Sequence, residues 1–433
     1  RLFLETVWNL LESAGYLGET LAECATDVAV YVGAMYQQYQ QCVEHEQIAP
    51  PSSFSAIANR VSYFFNLQGA SVAIDTMCSS AMVALHLACD SLLKQECKLA
   101  IVGGVNLSLH PSKYIGLSSA QLLGSHANST SFAEGDGYIP AEGVGAVLLK
   151  PLAEAIKDHD NILAVIKSTA INHNGQANGY AVPNPNAQAQ LIADNFAKAN
   201  IDPRTISYVE AAANGSLLGD AIELTALHKV FNATSTEQGF CALGSVKANM
   251  GHAEAASGIA QLTKVVLQLQ HRQIVPLIKA QPLNSNLDFS HSPFYLPRQL
   301  QIWQQPVLTL KDGTTHTVPR RAALNSFGAG GTNVHLIIEE YTAPVSNRVE
   351  SAPPYLVLLS AKNVAQLRAV IQRLIGFIQN HSDISLANLA YTLQCGRVAM
   401  ENRLALVVQN KAQLVSQLHL VHSTHADTDT LFF

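Results

Sequence analysis

The chain has 433 residues and a formal charge of −6, from 26 Lys+Arg against 32 Asp+Glu. Charged residues are 13% of it, about half the roughly 25% of an ordinary soluble domain, while hydrophobic residues reach 48%. That balance excludes a disordered chain and argues against nucleic-acid binding. The length exceeds the roughly 250–300 residues that one core supports, so two fused halves or a domain with an appendage are expected.

Helical periodicity covers Leu2–Ser13, and a β-rich run follows at Val28–Gly33. Strand-like runs recur at Ser71–Ile74, Leu99–Val102, Val144–Leu149, Ile162–Ser168, Tyr208–Glu210, Ala242–Gly244 and Val334–Glu339. Between them lie apolar helical stretches at Ser79–Leu93, Pro185–Ala199, Asp220–Phe231 and Glu254–Gln270. Strands alternating with helices predict an α/β fold with buried sheets. Ser71-to-Leu93 and Ala242-to-Gln270 echo each other: a short strand, a tight turn with a reactive residue, then a small-residue helix. Two similar halves would bring those reactive groups together.

A polar linker is expected at 342–354. After it, Tyr355–Leu359 reads as a strand, and Val364, Leu367, Val370, Ile371, Leu374, Ile375 and Ile378 form one helical stripe. A helix at Leu386–Gln394 and a strand at Leu404–Val408 complete a small α/β domain over 355–422, with a tail at 423–433. No apolar run approaches the roughly 18–20 residues of a membrane span, and no secretory signal opens the chain. The seven cysteines form no C-x-x-C pair, which fits a reducing cytoplasm.

Three segments carry chemistry. In Asp75-Thr76-Met77-Cys78-Ser79-Ser80 a cysteine stands between a strand and a helix, where unpaired N–H groups and the dipole favour thiolate. A buried structural cysteine is the alternative. In Lys247-Ala248-Asn249-Met250-Gly251-His252-Ala253-Glu254 a histidine precedes another helix, and its Lys and Glu neighbours can fix its tautomer and charge. A hydrogen-bonded structural histidine is the alternative there. Asn325-Ser326-Phe327-Gly328-Ala329-Gly330-Gly331-Thr332 is a Gly-rich turn whose N–H groups can approach a reacting atom closely, or a simple hairpin.

DTMCSS, GSVKANMGH and NSFGAGGTNVH, in this order, resemble the β-ketoacyl synthase (ketosynthase) domain of modular polyketide synthases, over residues 1–341. The resemblance implies a thiolase-like five-layered αβαβα fold of two similar halves, followed by the small α/β linker domain. PYLVLLSAKN and LANLAYTLQCGRVAMENRLALVV resemble the linker found after ketosynthases of trans-acyltransferase polyketide synthases. The chain looks N-terminally truncated, because the family carries a first strand before the helix at Leu2. Also implied are a homodimer, acyl carrier proteins upstream and downstream as partners, no metal and no resident cofactor. Substrates would arrive on the carriers' phosphopantetheine, and neither nucleic acid nor membrane is implied.

By the same resemblance Cys78 is the nucleophile, His252 polarises the thioester, and Lys247 and Glu254 orient the His252 network. The N–H groups of Cys78 and Ala329 form the oxyanion hole. Met77, Asn214, Ser216 and Phe327 contact substrate, with Met77 near the dimer interface and the acyl pocket; a Met77 that merely fills core space is the alternative. The sequence departs from the family at one place. A His-Gly-Thr-Gly-Thr stretch is replaced by Ala212-Ala213-Asn214-Gly215-Ser216, inside an intact frame of Val209-Glu210-Ala211 and Leu218-Gly219-Asp220-Ala221-Ile222-Glu223. Ala212 occupies the position of the first active-site histidine. Ala213 replaces a Gly, and would be strained if its φ were positive.

Loss of that histidine implies a non-elongating enzyme that transfers acyl chains unchanged. The alternatives are an elongating decarboxylative condensation with malonyl-carrier, or a catalytically silent docking scaffold. Cys78, His252 and position 212 are expected to converge, with Gly328–Gly331 beside them.

Overall fold

Short runs of Val, Ile, Ala and Gly supply the strands, and long small-residue helices pack between them. The structure, a computed structural model, describes residues 1–42, 53–309, 312–343, 352–381 and 383–423. The first sheet contains β1 (Val28–Ala34), β2 (Ser71–Ile74), β3 (Leu99–Asn106) and β4 (Gly143–Leu149), in the order β2-β1-β3-β4. β1 is parallel to β2 and β3, whereas β4 is antiparallel to β3.

The second sheet contains β5 (Val165–His173), β6 (Tyr208–Glu210), β7 (Cys241–Gly244), β8 (Phe294–Tyr295), β9 (Arg321–Phe327) and β10 (Thr332–Glu339). Its order is β5-β10-β9-β6-β7-β8. The stretch β7-β6-β9-β10 repeats β2-β1-β3-β4 strand for strand, including the antiparallel last pair. The internal echo in the sequence is therefore a structural repeat. β5 covers the outer edge of β10, and no described strand covers the corresponding edge of β4.

β2 leads to helix α1 (Ser80–Leu93). Apolar on nearly every face, this helix lies buried, with Ala81, Met82, Ala84 and Leu85 fully enclosed. Close approach is what small residues supply. A Cβ on Gly33 of β1 would lie 2.4 Å from the Ala81 backbone nitrogen. Helix α2 (Pro185–Ala199) starts at Asn184, whose side chain accepts the N–H groups of Asn186 and Ala187, with Pro at the first turn. Helix α3 (Leu217–Phe231) starts at Ser216, whose hydroxyl accepts the Gly219 N–H. Helix α4 (Ser257–His271) follows β7 as α1 follows β2. It meets α1 near both N-termini, where a Cβ on Gly258 would lie 2.4 Å from Met82 Cγ. The chemistry-bearing segments therefore open toward one another.

Contacts divide the chain into two compact units. One comprises Arg1–Val7 and Ala25–Thr342; the other comprises Trp8–Cys24 and the residues from Ala343 onward. The second unit draws in Trp8–Cys24, which a linear reading leaves in the first domain. In it, β11 (Tyr355–Ala361) pairs antiparallel with β12 (Asn402–Val408). Three helices cover this ribbon: α5 (Val364–Asn380), α6 (Leu386–Cys395) and α7 (Lys411–Ser423). Asn363 caps α5, and its stripe buries Ile371, Leu374, Ile375 and Ile378 while Val364 stays exposed. Most of the expected linker (344–351) and the tail beyond Ser423 lie outside the described residues. Among the described residues no helix is long and apolar enough to cross a membrane.

Candidate active site

Cys78 sits on a tight elbow between β2 and α1. Met77, just before it, has φ +60°, a left-handed value that a residue with a Cβ rarely adopts and that costs of order 1–3 kcal/mol. Hydrogen bonds hold the elbow. Asp75 Oδ1 accepts the Met77 N–H at 3.0 Å, and Ser80 Oγ accepts the Thr76 N–H at 3.0 Å. The Ser79 hydroxyl donates to the Thr76 carbonyl at 2.8 Å. The Cys78 carbonyl accepts from the Ser257 hydroxyl at 3.1 Å, tying the elbow to the start of α4.

The sulfur is buried, and burial pushes its pKa up to about 11. The Lys247 ammonium opposes that rise, as do the backbone N–H groups of Ala329 and of Cys78 itself, while Glu254 adds to it. Desolvation thus outweighs the cation and the two N–H donors that favour the thiolate, so the elbow's position does not by itself make Cys78 a resting thiolate.

His252 is also buried. Its Nδ1 accepts the Glu254 N–H at 3.1 Å, so the neutral ring carries its proton on Nε2. Burial lowers its pKa well below the usual value, and the Lys247 and Lys113 cations lower it further. The ring is therefore a neutral donor. Tyr138 stands edge-on to it, with ring centroids 4.8 Å apart. Glu254 orients His252 through its backbone. Its enclosed carboxylate instead pairs with Lys113 and accepts the Tyr138 hydroxyl at 2.9 Å.

Lys247 Nζ donates to the Ala212 carbonyl at 2.5 Å. The Ala212 N–H donates to Glu223 Oε1 at 2.9 Å, and Asp220 accepts the N–H groups of Asn214 and Gly215. The loop is thus fixed through its backbone, and position 212 presents only a half-buried methyl group. Ala213 does not have a positive φ, so its replacement of Gly introduces no strain. Asn214 Oδ1 accepts the Ser216 N–H, and the Ser216 hydroxyl caps α3, so both side chains already have partners within the loop.

The Gly-rich turn joins β9 to β10 beside the elbow. A Cβ on Gly328 would lie 2.6 Å from the Thr76 carbonyl, and one on Gly330 would lie 3.8 Å from Met77 Cγ. Phe327, half-buried, closes β9. The structure thus gathers Cys78, Lys247, Ala212, Ala329, Met77 and Glu254, with His252 joined to them by the field of Lys247 and by the Glu254 N–H. Lys113 and Tyr138 belong to the same buried cluster and carry no motif of their own. Glu223 and Asp220 were legible only as parts of the Leu-Gly-Asp-Ala-Ile-Glu frame. The arrangement offers a thiol, two backbone N–H groups aimed at it, one neutral imidazole donor and one buried cation.

Residues 1–155 match the family described as β-ketoacyl synthase, N-terminal domain, and residues 163–281 match its C-terminal domain. Residues 358–425 match the RhiE-like KS-MAT linker domain. Polyketide synthase PksL of Bacillus subtilis is 48% identical over 97% of this chain, which covers 10% of that protein. Polyketide synthase ThaG of Burkholderia thailandensis is 45% identical over 96% of this chain, which covers 8% of that protein. The chain therefore spans about a tenth of these relatives. Among solved structures, an oxazolomycin ketosynthase domain from Streptomyces albus superposes with a TM-score of 0.91 at 41% identity. That match covers 98% of this chain and 74% of that one. The ketosynthase from module 6 of the Bacillus subtilis bacillaene synthase gives 0.88 at 38% identity, covering 98% and 71%.

Proposed function

The chain belongs to the β-ketoacyl synthase family, as a ketosynthase domain of the trans-acyltransferase polyketide synthase kind with a thiolase-like fold, and from that premise we propose that it passes acyl chains on without lengthening them. An acyl thioester on a carrier's phosphopantetheine meets the Cys78 sulfur. The C–S bond to Cys78 forms, the C–S bond to the pantetheine breaks, and the thiol proton leaves with the pantetheine thiol. The tetrahedral oxyanion is met by the N–H groups of Cys78 and Ala329. The reverse reaction delivers the same acyl group to a downstream carrier. None of these steps uses a side chain at position 212.

Condensation does use one. Loss of CO2 from a malonyl thioester places negative charge on the thioester oxygen, which needs donors in the transition state. His252 supplies one through Nε2–H. The other would come from position 212, where only a methyl group stands. A missing donor of this kind costs about 10²–10³ in rate, roughly 2.7–4 kcal/mol. The observation that carries the reading is Ala212 itself, its N–H held by Glu223 and its carbonyl by Lys247.

The test is intact-protein mass spectrometry with an acyl-loaded carrier and a second, empty carrier. Acyl mass appearing on the chain, absent in Cys78→Ala, and then on the second carrier supports the reading. A chain that takes no acyl group is a scaffold, and the reading falls.

A further inference from the structure

The Gly-rich turn at 328–331 lies beside the cysteine elbow, and one imidazole joins it to the segment following β5. His173 ends β5. Its Nδ1 accepts the Gly175 N–H at 3.0 Å, so the neutral ring carries its proton on Nε2, and Nε2 lies 2.9 Å from the Gly330 carbonyl as donor. The ring also fills the space beside Gly331, whose φ is +94° and where a Cβ would lie 2.8 Å from Nε2. The adjacent Asn174 N–H donates to the Gly331 carbonyl at 2.9 Å, so two consecutive residues of one strand end grip two consecutive carbonyls of the turn.

The peptide between Ala329 and Gly330 contributes no donor to the sulfur; the Ala329 N–H does, one peptide earlier. Holding the Gly330 carbonyl fixes the orientation of the turn in which that N–H is presented. The Tyr180 hydroxyl lies 3.3 Å from where a Cβ on Gly330 would stand, and Tyr180 belongs to the segment that His173 anchors through Gly175.

We propose that His173 is a positioning residue for acyl transfer: its Nε2–H to Gly330 bond sets the Ala329 N–H against the reacting atom and couples that donor to the segment that carries the exposed Tyr180. The inference rests on the acyl-transfer reading for its purpose, and on the clamp's geometry together with the Ala329 N–H bond to the sulfur for its effect on Cys78.

Three variants separate the two ring nitrogens. Gln places an amide N–H near the Nε2 position, Asn reaches only as far as Nδ1, and Ala reaches neither. The readouts are acyl loading of Cys78 from an acyl carrier and the pH midpoint of Cys78 alkylation by iodoacetamide. Alkylation is followed on the Cys78 peptide because Cys42 and Cys395 are exposed. His173→Asn and His173→Ala are expected to slow acyl loading by about 10- to 100-fold, short of the 10²–10³ of outright donor loss. The same two variants are expected to shift the alkylation midpoint upward, because a thiolate that loses a hydrogen-bond donor is harder to form. His173→Gln is expected to recover most of both.

An unchanged midpoint and rate in His173→Asn overturns the proposal, and so does a fall in His173→Gln equal to that in His173→Ala. If no form loads an acyl group but His173→Asn still shifts the midpoint, the clamp stands and the acyl-transfer reading fails separately.

Discussion

Ala212→His is the perturbation that the site defines most sharply. The loop that carries it is already held in place: the Ala212 N–H lies 2.9 Å from Glu223, its carbonyl 2.5 Å from Lys247 Nζ, and the next N–H groups rest on Asp220. A new imidazole there stands near the same Lys247 cation that, with burial, keeps His252 neutral. It should therefore also be a neutral donor at neutral pH. One restored donor to a developing oxyanion is worth up to about 10²–10³ in rate. The expected gain in CO2 release from malonyl-carrier, with Cys78 already acylated, lies between about tenfold and that limit. Adding Ala213→Gly should give no further gain, because Ala213 is not left-handed and Gly there only loosens the loop. The assay follows CO2 and condensed product together. No gain in Ala212→His would refute the reasoning that this one side chain limits condensation.

Other outcomes follow from the same geometry. Alkylation of Cys78 should accelerate about tenfold per pH unit and level off near the sulfur's pKa of about 11, whereas an early plateau near neutral pH would contradict a resting thiol. Gly33→Ala should destabilise the fold by about 1–3 kcal/mol in denaturant titration and slow acyl loading, since its Cβ would press on the Ala81 backbone. Burial raises the Glu223 pKa from 4.5 to about 7, so the native state holds this proton more tightly than the unfolded chain. Its stabilising effect is complete below the unfolded pKa and is lost as pH climbs through about 7, a fall of roughly 3 kcal/mol. Glu223→Gln, which keeps an oxygen for the Ala212 N–H, should flatten that slope in unfolding measurements across the range.

Much of the frame was legible because strand and helix periodicities are strong. Ser71–Ile74 and Tyr208–Glu210 fall where the pattern puts them. β9 was not legible: Arg-Ala-Ala-Leu-Asn-Ser-Phe contains no β-branched residue, and only its position between β6 and β10 makes it a buried strand. The helix at Ser55–Phe65 was also missed.

In the site, the cysteine elbow and the histidine turn could be placed from residue types at element boundaries. Lys113 and Tyr138 could not, because their shared partner Glu254 is remote in sequence and no local pattern announces a pairing that burial alone makes necessary. The same limit explains the Cys78 thiol. A helix start can be read from a sequence, whereas the desolvation that raises the Cys78 pKa belongs to the packed core.

The central claim is that the acyl chain leaves as it arrived. The direct measurement loads Cys78 with an acyl group, adds a malonyl-loaded carrier and an empty carrier, and determines the mass of what each carrier then bears. Unchanged acyl on the empty carrier, with the malonyl group intact on the other, is the predicted result. A chain two carbons longer, formed with release of CO2 at a rate comparable to acyl transfer, would contradict it.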